Sequence, residues 1–494
     1  MTADTASSGD GTVRMRVSLH GEGMAAVAGT AVRECATVLG GADPQCLGEL
    51  VTTLCNRILA SSFDDPSRAA IEVTVSARVG ELVVRLDDDG LPGSYHRIAG
   101  PAVTDVARMI RSAAASDVHF VGRGRQGNRA EIVVRRAAAD IRPDRVADRA
   151  QAGSATEAAE SPVPIDEPVE IRFMEPDEAE SLARCVYRCY GYSYDVAWMY
   201  EPETIASRLR SGHLRSAVGI GVGGEIVGHC GVLRSSVELA VGEVGMAVVD
   251  PRYRGHHLFT TLKRLVADWA ADTGLVGLYS EATANHPYSQ QANVALGAGE
   301  TGVLLGYVPA DVDYVDITAG SHRGAVVLFY LKTGDGPGRV IHAPPQHAGI
   351  LRAVVEHSGL AGRVDDSTAA PTLAPATRLD VSFRPDHNSA TISVHEIGDD
   401  ASSEVRTHLR DLCLHRVDTV YLDLPLTVPA TAVCTERFEE LGFFFGGVFP
   451  NQRIAGDVLR LQYLNNVEPH SEDIAVASDF GARLLSYVTG AAPT

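Results

Sequence analysis

A mixed α/β chain of the α+β type, folded in three units, is what this sequence predicts. Helix-period apolar patterns alternate with short β-branched runs through most of its length. From Ala137 to about Pro168 (AAADIRPDRVADRAQAGSATEAAESPVPIDEP) the chain is rich in Ala, Pro and charge and nearly bare of large apolar side chains, so it cannot build a core. At 494 residues the chain exceeds one ordinary core, which holds roughly 100–200 residues. A weaker break, DDSTAAPTLAPAT, falls at 365–377. The expected division is a domain at 1–136, a linker at 137–167, a domain at 168–331, a connecting segment at 332–377 and a smaller unit at 378–494.

The first unit shows a helical pattern at 46–63 (CLGELVTTLCNRILASSF), then alternating strands at 71–77 (IEVTVSA) and 81–86 (ELVVRL). A glycine turn, a helix near 102–114 and strands near 117–121 and 130–136 complete it. The loop GRGRQGNR at 122–129 matches G-x-G-x-x-G, but it lies between two strands, where no helix start can receive a phosphate, so it is not read as a dinucleotide site.

The second unit opens with a strand at 169–173, a helix at 177–190 and a helical segment at 202–211. Strands at 215–222, 225–234 and 242–249 follow. Then comes the most informative stretch, VGMAVVDPRYRGHHLFTTLKRLVADW at 244–269. Pro251 cannot extend a central strand and closes one. A basic turn with Gly255 follows, and a helix from about 257 to 272 starts at once, its unpaired N–H groups and positive dipole end offered to an anion. A strand at 275–282, a short helix from about 287 and strands at 301–308 and 325–331 finish the unit. The third unit repeats a shorter theme: strand TISVHEI, helix 401–415, strand TVYLDLPL, helix 430–441 and strands at 443–450 and 457–464. A last amphipathic helix is expected within 471–488.

Charge and cysteines narrow the function. With 43 basic and 63 acidic residues the net charge is −20, which opposes sequence-independent nucleic-acid binding. No apolar run approaches the ~18–20 residues of a membrane span, and the polar start MTADTASSGDGTV lacks a signal pattern, so a cytoplasmic protein is expected. The eight cysteines show no CxxC pair; Cys185 and Cys189, four apart in a helical pattern, read as small core residues, and no metal site is expected.

The order β-α-α-β-β-β-basic turn-α-β-α-β-β with VVDPRYRG at the turn resembles the GNAT family of acyl-CoA-dependent N-acetyltransferases over about 168–331. The resemblance implies acetyl-CoA as cofactor and a small-molecule or protein amine as acceptor. It implies that the backbone of Ala247, Val248 and Val249 pairs with the pantetheine arm. It also implies that the turn and helix start, Arg254, Gly255, His256, His257, Leu258 and Phe259, hold the pyrophosphate. Glu243, eleven residues before Arg254, takes the place of the family's base; Glu281, at the end of the next strand, is a second candidate. Two departures stand out. His257 and Phe259 occupy positions where the family has small residues, with Arg254 as the first residue of the turn pattern. Asn293 occupies the place of the tyrosine acid, taking Gly297-Ala298 as the family's Gly-Phe pair. The third unit matches only the family's C-terminal half, through Glu440 to Phe443, and reads as a degenerate copy.

The helix containing Asn56, followed by LDDDGLP at 86–92, resembles the GHKL ATPase fold, particularly the small anti-sigma-factor serine kinases. That resemblance implies an α/β sandwich binding ATP with Mg2+, with Asn56 near the metal and phosphates and Asp88 and Gly90 at the adenine. Thr52 stands where those kinases place a catalytic Glu. The reading that follows is an N-acetyltransferase with an attached nucleotide-binding regulatory domain. The rival is a non-catalytic acyl-CoA- and ATP-sensing protein that binds a sigma-factor-type or antagonist partner.

Overall fold

Period-two alternation in IEVTVSA and ELVVRL produces the strands it predicts, and their inward residues bury completely. The computed structural model describes residues 12–20, 23–41, 43–63, 65, 69–78, 81–92, 115–135, 167–194, 196–236, 238–254, 257–310, 322–336, 338–367, 371–453 and 456–492. The expected helix near 102–114 lies outside them. The chain divides into two units: residues 1–163 with 177–192 and 197–205, and the remainder.

The first unit contains β1 (Thr12–His20), α1 (Ala25–Leu39), α2 (Pro44–Ser62), β2 (Ala70–Arg78), β3 (Glu81–Asp88), β4 (Ala115–Gly122) and β5 (Asn128–Arg135). Its sheet runs β1-β2-β3-β5-β4, antiparallel throughout. Asp43 starts α2 by accepting from Cys46 N at 3.1 Å, with Pro44 at the first helical position. α1 and α2 cross at Gly29 and Gly48, where an added Cβ on Gly29 would stand 2.4 Å from Gly48 O, so only glycine allows this approach. Leu47, Leu50, Leu54 and Ile58 of α2 share one core with Val73, Val75, Leu82, Val84 and Ile132 of the sheet. β1 and α1 were not expected; α1 buries Ala25, Ala28, Gly29, Val32 and Ala36, a face too small-sided to give a strong apolar stripe. GRGRQGNR forms the β4–β5 hairpin, as its position between strands requires. The unit also includes α3 (Ala179–Tyr190); α4 (Pro202–Arg210) begins in this unit and ends in the second.

The second unit is built on one sheet of twelve strands among the described residues. Its elements are β6 (Glu170–Phe173), β7 (Leu214–Ile220), β8 (Ile226–Leu233), β9 (Val241–Val249), α5 (Leu258–Asp272), β10 (Gly277–Thr283), α6 (Tyr288–Ala295), β11 (Gly299–Val308) and β12 (Gly324–Lys332). Then follow β13 (Arg339–His342), α7 (Ala348–His357), β14 (Gly362–Asp365), β15 (Arg378–Arg384), β16 (Ser389–Glu396), α8 (Ala401–Leu414), β17 (Thr419–Pro425), α9 (Pro429–Glu439), β18 (Phe444–Arg453), β19 (Gly456–Leu464) and α10 (Asp479–Ala491). Residues 332–377, read from the sequence as a connection, thus contain a parallel β13–β14 pair and α7. The large sheet runs β15-β16-β17-β19-β18-β11-β12-β10-β9-β8-β7-β6. Its two halves meet at β11 and β18, where Gly302 pairs with Gly447 and an added Cβ on Gly302 would lie 2.3 Å from Gly446 O. Among the described residues, no helix is long and apolar enough to cross a membrane.

Candidate active site

Two neighbouring parallel strands in the second unit come apart, and the site is built around that fork. β9 and β10 pair only through Val241↔Gly277, Gly242↔Leu278 and Glu243↔Tyr279. From Val244 to Val249, β9 has no β10 partner, so one edge of its backbone is available to another chain of donors and acceptors. On its other side β9 carries a bulge: β8 supplies Cys230 where β9 supplies both Met246 and Ala247. Met246 sits at φ 51°, and buried His229 holds the kink with Nδ1 2.7 Å from Met246 O and Nε2 2.9 Å from Ser216 Oγ. A carbonyl only accepts, so Nδ1 carries the proton and donates, while Nε2 accepts from the serine. Burial drives the His229 pKa down to about 4, which keeps the ring neutral.

The strand ends in the basic turn. Asp250, almost fully buried, accepts from Arg252 N at 3.1 Å and from the Arg252 guanidinium at 3.0 and 2.8 Å, closing a short 3-10 turn over Pro251–Tyr253. Arg252 is therefore committed to the turn, while Arg254 is exposed. Gly255 and His256 lie outside the described residues. His257 precedes α5 at φ 56°, ψ 14°, a left-handed conformation that favours glycine and explains why a small residue suits this position. No side chain caps the start of α5, and its first turn holds no acid. The N–H groups of Leu258, Phe259 and Thr260 are thus free of intrahelical partners at an uncompensated positive dipole end.

Alternation along β10 sends Tyr279 and Glu281 to one face and Leu278 and Ser280 to the other. Glu243, at the last paired position, accepts from Tyr279 OH at 3.3 Å; Glu281 accepts from Tyr307 OH. Burial, and then Glu243 beside it, pushes the Tyr279 phenol well above its usual range; burial and then Glu281 do the same to Tyr307, so both remain donors. The other half of the sheet completes this face. Arg384 donates to Tyr307 OH at 2.9 Å, Gln452 reaches Tyr279 OH at 3.5 Å, and Arg460 lies 4.2 Å over Phe449 while paired with Asp423 at 2.7 and 2.8 Å. The structure therefore brings Glu243 and Glu281 to one polar face, both within electrostatic reach of Tyr279, Tyr307 and Arg384.

On the opposite face, under α5 and α6, Lys263 and Asn293 are buried and joined by a hydrogen bond from Lys263 Nζ to Asn293 Oδ1. Ser280 Oγ donates to the same oxygen at 3.1 Å. The sequence offered no sign of Lys263, since a lysine in an amphipathic helix ordinarily faces water. Tyr279 was legible, because it alternates in phase with Glu281; Arg384 and Arg460 were not, because the pairing that brings them near depends on distant strands. His322, His470 and Asp473 place metal-capable atoms within 4.8 Å of one another; zinc, with ligands at about 2.0–2.2 Å, would require them to close further.

In the first unit, Asn56 is exposed on α2. Asp88, 5% exposed at the end of β3, holds its own turn: Oδ1 accepts from Gly90 N at 3.1 Å and from Asn128 Nδ2 at 2.9 Å. Gly90 O accepts in turn from Asn128 Nδ2 at 3.2 Å and from Tyr192 OH. The carboxylate expected at an adenine thus already accepts two internal hydrogen bonds, and a tyrosine hydroxyl abuts Gly90.

Residues 179–292 match the acetyltransferase (GNAT) family. Among solved structures, the chain is similar to the ribosomal-protein-S5-alanine acetyltransferase from Vibrio fischeri, at 16% identity over 34% of this chain and 96% of that one, with a TM-score of 0.28. It is similar to the ribosomal-protein-S18-alanine N-acetyltransferase from Escherichia coli at 17% identity, over 34% and 97%, with a TM-score of 0.28. It is likewise similar to a phosphinothricin acetyltransferase from Sinorhizobium meliloti in complex with AcCoA, at 14% identity over 34% and 90%, with a TM-score of 0.29. No curated protein matches its sequence.

Proposed function

We propose that the chain is an N-acetyltransferase that moves an acetyl group from acetyl-CoA to an amine. The observation that carries this reading is the β9–β10 fork opening beside the uncapped start of α5. An extended amide-bearing arm suits the unpaired edge at Ala247, Val248 and Val249, and a pyrophosphate suits the turn and helix start from Arg254 to Phe259. Acetyl-CoA bound there would supply an activated acyl group as a thioester.

The remaining work falls to side chains. An amine with an ordinary pKa near that of lysine, about 10.4, is almost wholly protonated at neutral pH and has no lone pair to attack with. Glu243 is assigned the proton, and Glu281 the second carboxylate that draws the cation into place; the family match over 179–292 includes both. The acceptor is a small-molecule or protein amine. Asn293 at the tyrosine position favours the rival reading, an acyl-CoA sensor without turnover.

Calorimetric titration with acetyl-CoA, followed by CoA-release assays across a panel of amines, tests the proposal. Saturable binding below millimolar concentration and release with at least one amine are expected. No binding at millimolar acetyl-CoA overturns the reading, and binding without release to any amine supports the sensor.

A further inference from the structure

Asn293 cannot give up a proton at neutral pH, yet a buried lysine bonded to it can. We propose that Lys263 is the proton donor to the sulfur that leaves acetyl-CoA, with the Asn293 amide nitrogen holding that sulfur. The inference rests on the acyl-transfer reading above.

The geometry is specific. An ammonium has donors only, so the Asn293 atom it meets is the oxygen, and this fixes the amide's orientation. The oxygen is taken by Lys263 and Ser280. The nitrogen, Nδ2, is then a buried donor with no partner among the described residues, in a side chain only 2% exposed. A buried N–H left unmade is unfavourable, and an acceptor entering the fork would satisfy it.

The cluster adjoins the strands that form the fork. Ser280 directly follows Tyr279, the last β10 residue paired with β9. Cys230, whose thiol lies within electrostatic reach of Lys263, stands opposite the β9 bulge. Glu243 and Tyr279 lie on the other face of the sheet, so a carboxylate and an ammonium stand on its opposite faces.

The titratable group facing Lys263 is the Cys230 thiol, which burial pushes up to about 11 and keeps neutral; the Phe259 ring lies 5.7 Å from Nζ. Burial lowers Lys263 itself to about 8. It is therefore mostly charged at neutral pH and close to an ordinary thiol, about 8.5, as a proton donor should be. In the transfer the acceptor nitrogen bonds to the acetyl carbon and the carbon–sulfur bond breaks. The ammonium first gives one proton to Glu243; the second proton that nitrogen loses on forming the amide goes to solvent, and the proton gained by sulfur comes from Lys263. Glu243 then releases its proton to solvent and Lys263 regains one from it, so one proton is released overall.

The test is an ultraviolet thiolate titration of CoA bound to the full-length protein, with desulfo-CoA as the reference that subtracts the eight cysteines. The bound thiol is expected to titrate below free CoA by no more than about one pH unit: a neighbouring buried cation lowers it, and a larger fall would leave the proton on Lys263. Lys263→Met should abolish that shift. Lys263→Arg should retain it yet lose acetyl transfer, since its guanidinium does not release a proton. A bound thiol that titrates as free CoA does in the parent protein overturns the inference, and needs no variant to fold. Failure of CoA to bind at all sinks the acyl-transfer reading, and this inference with it.

Discussion

His229 is the residue on which the shape of β9 most depends. Neutral, it joins the Met246 carbonyl to Ser216; protonated, it would place a charge in a fully buried site. Its pKa falls from 6.5 to about 4 on folding, so below pH 6.5 the unfolded chain binds a proton that the folded chain refuses. Stability should decline as pH falls from 6.5 to 4 and level off below, by about 3 kcal/mol for this group. Denaturant midpoints of the parent and of His229→Gln, compared across that range, isolate the histidine's contribution; equal acid dependence would refute it. Glu243→Gln should reduce acetyl transfer by about 10²–10⁴-fold while changing acetyl-CoA affinity little, because its assigned role lies in proton transfer. Full activity would remove the assignment. Glu243 and Glu281 were singled out in the sequence through the family resemblance, which implies a base on the strand before the turn and a second carboxylate at the end of the next strand. Lys263 was hidden because burial of a lysine cannot be read from its neighbours in the chain.

Among the elements, the turn and the sheet junction carry the clearest consequences. The sequence placed the strand, turn and helix of 244–269 correctly to within a residue or two, since Pro251 and the helical period mark both ends. His257 stands where the family has a small residue, and the structure gives it the left-handed backbone for which glycine is suited. His257→Gly should therefore keep stability within about 1 kcal/mol, because relieved strain and added chain entropy nearly cancel. It should bind acetyl-CoA at least as tightly; weaker binding would show that the imidazole itself takes part. At the junction, Gly302→Val drives a side chain into Gly446 and Gly447. A loss of at least about 1–3 kcal/mol is expected, read as a lower thermal midpoint. Unchanged stability would mean that β11 and β18 are not joined as described.

Across the whole molecule, the α+β class was legible from alternating periodicities, while the linker read at 137–167 lies almost wholly outside the described residues. The continuous sheet was not legible. A third unit expected at 378–494 shares its sheet with the middle one because two glycines permit backbone contact, and no local pattern encodes so distant a pairing. The net charge of −20 also acts at this scale. A cationic amine should be captured less efficiently as salt rises, so kcat/KM for a polyamine or basic peptide should fall with ionic strength; no change would argue against electrostatic capture.

The proposed acyl-CoA site is the β9–β10 fork together with the start of α5. Hydrogen exchange of the full-length protein with and without acetyl-CoA tests it most directly. Slowed exchange is expected to concentrate in residues 244–263, on β9, the basic turn and the first turns of α5. Protection confined to other segments, or none at saturating ligand, would contradict it.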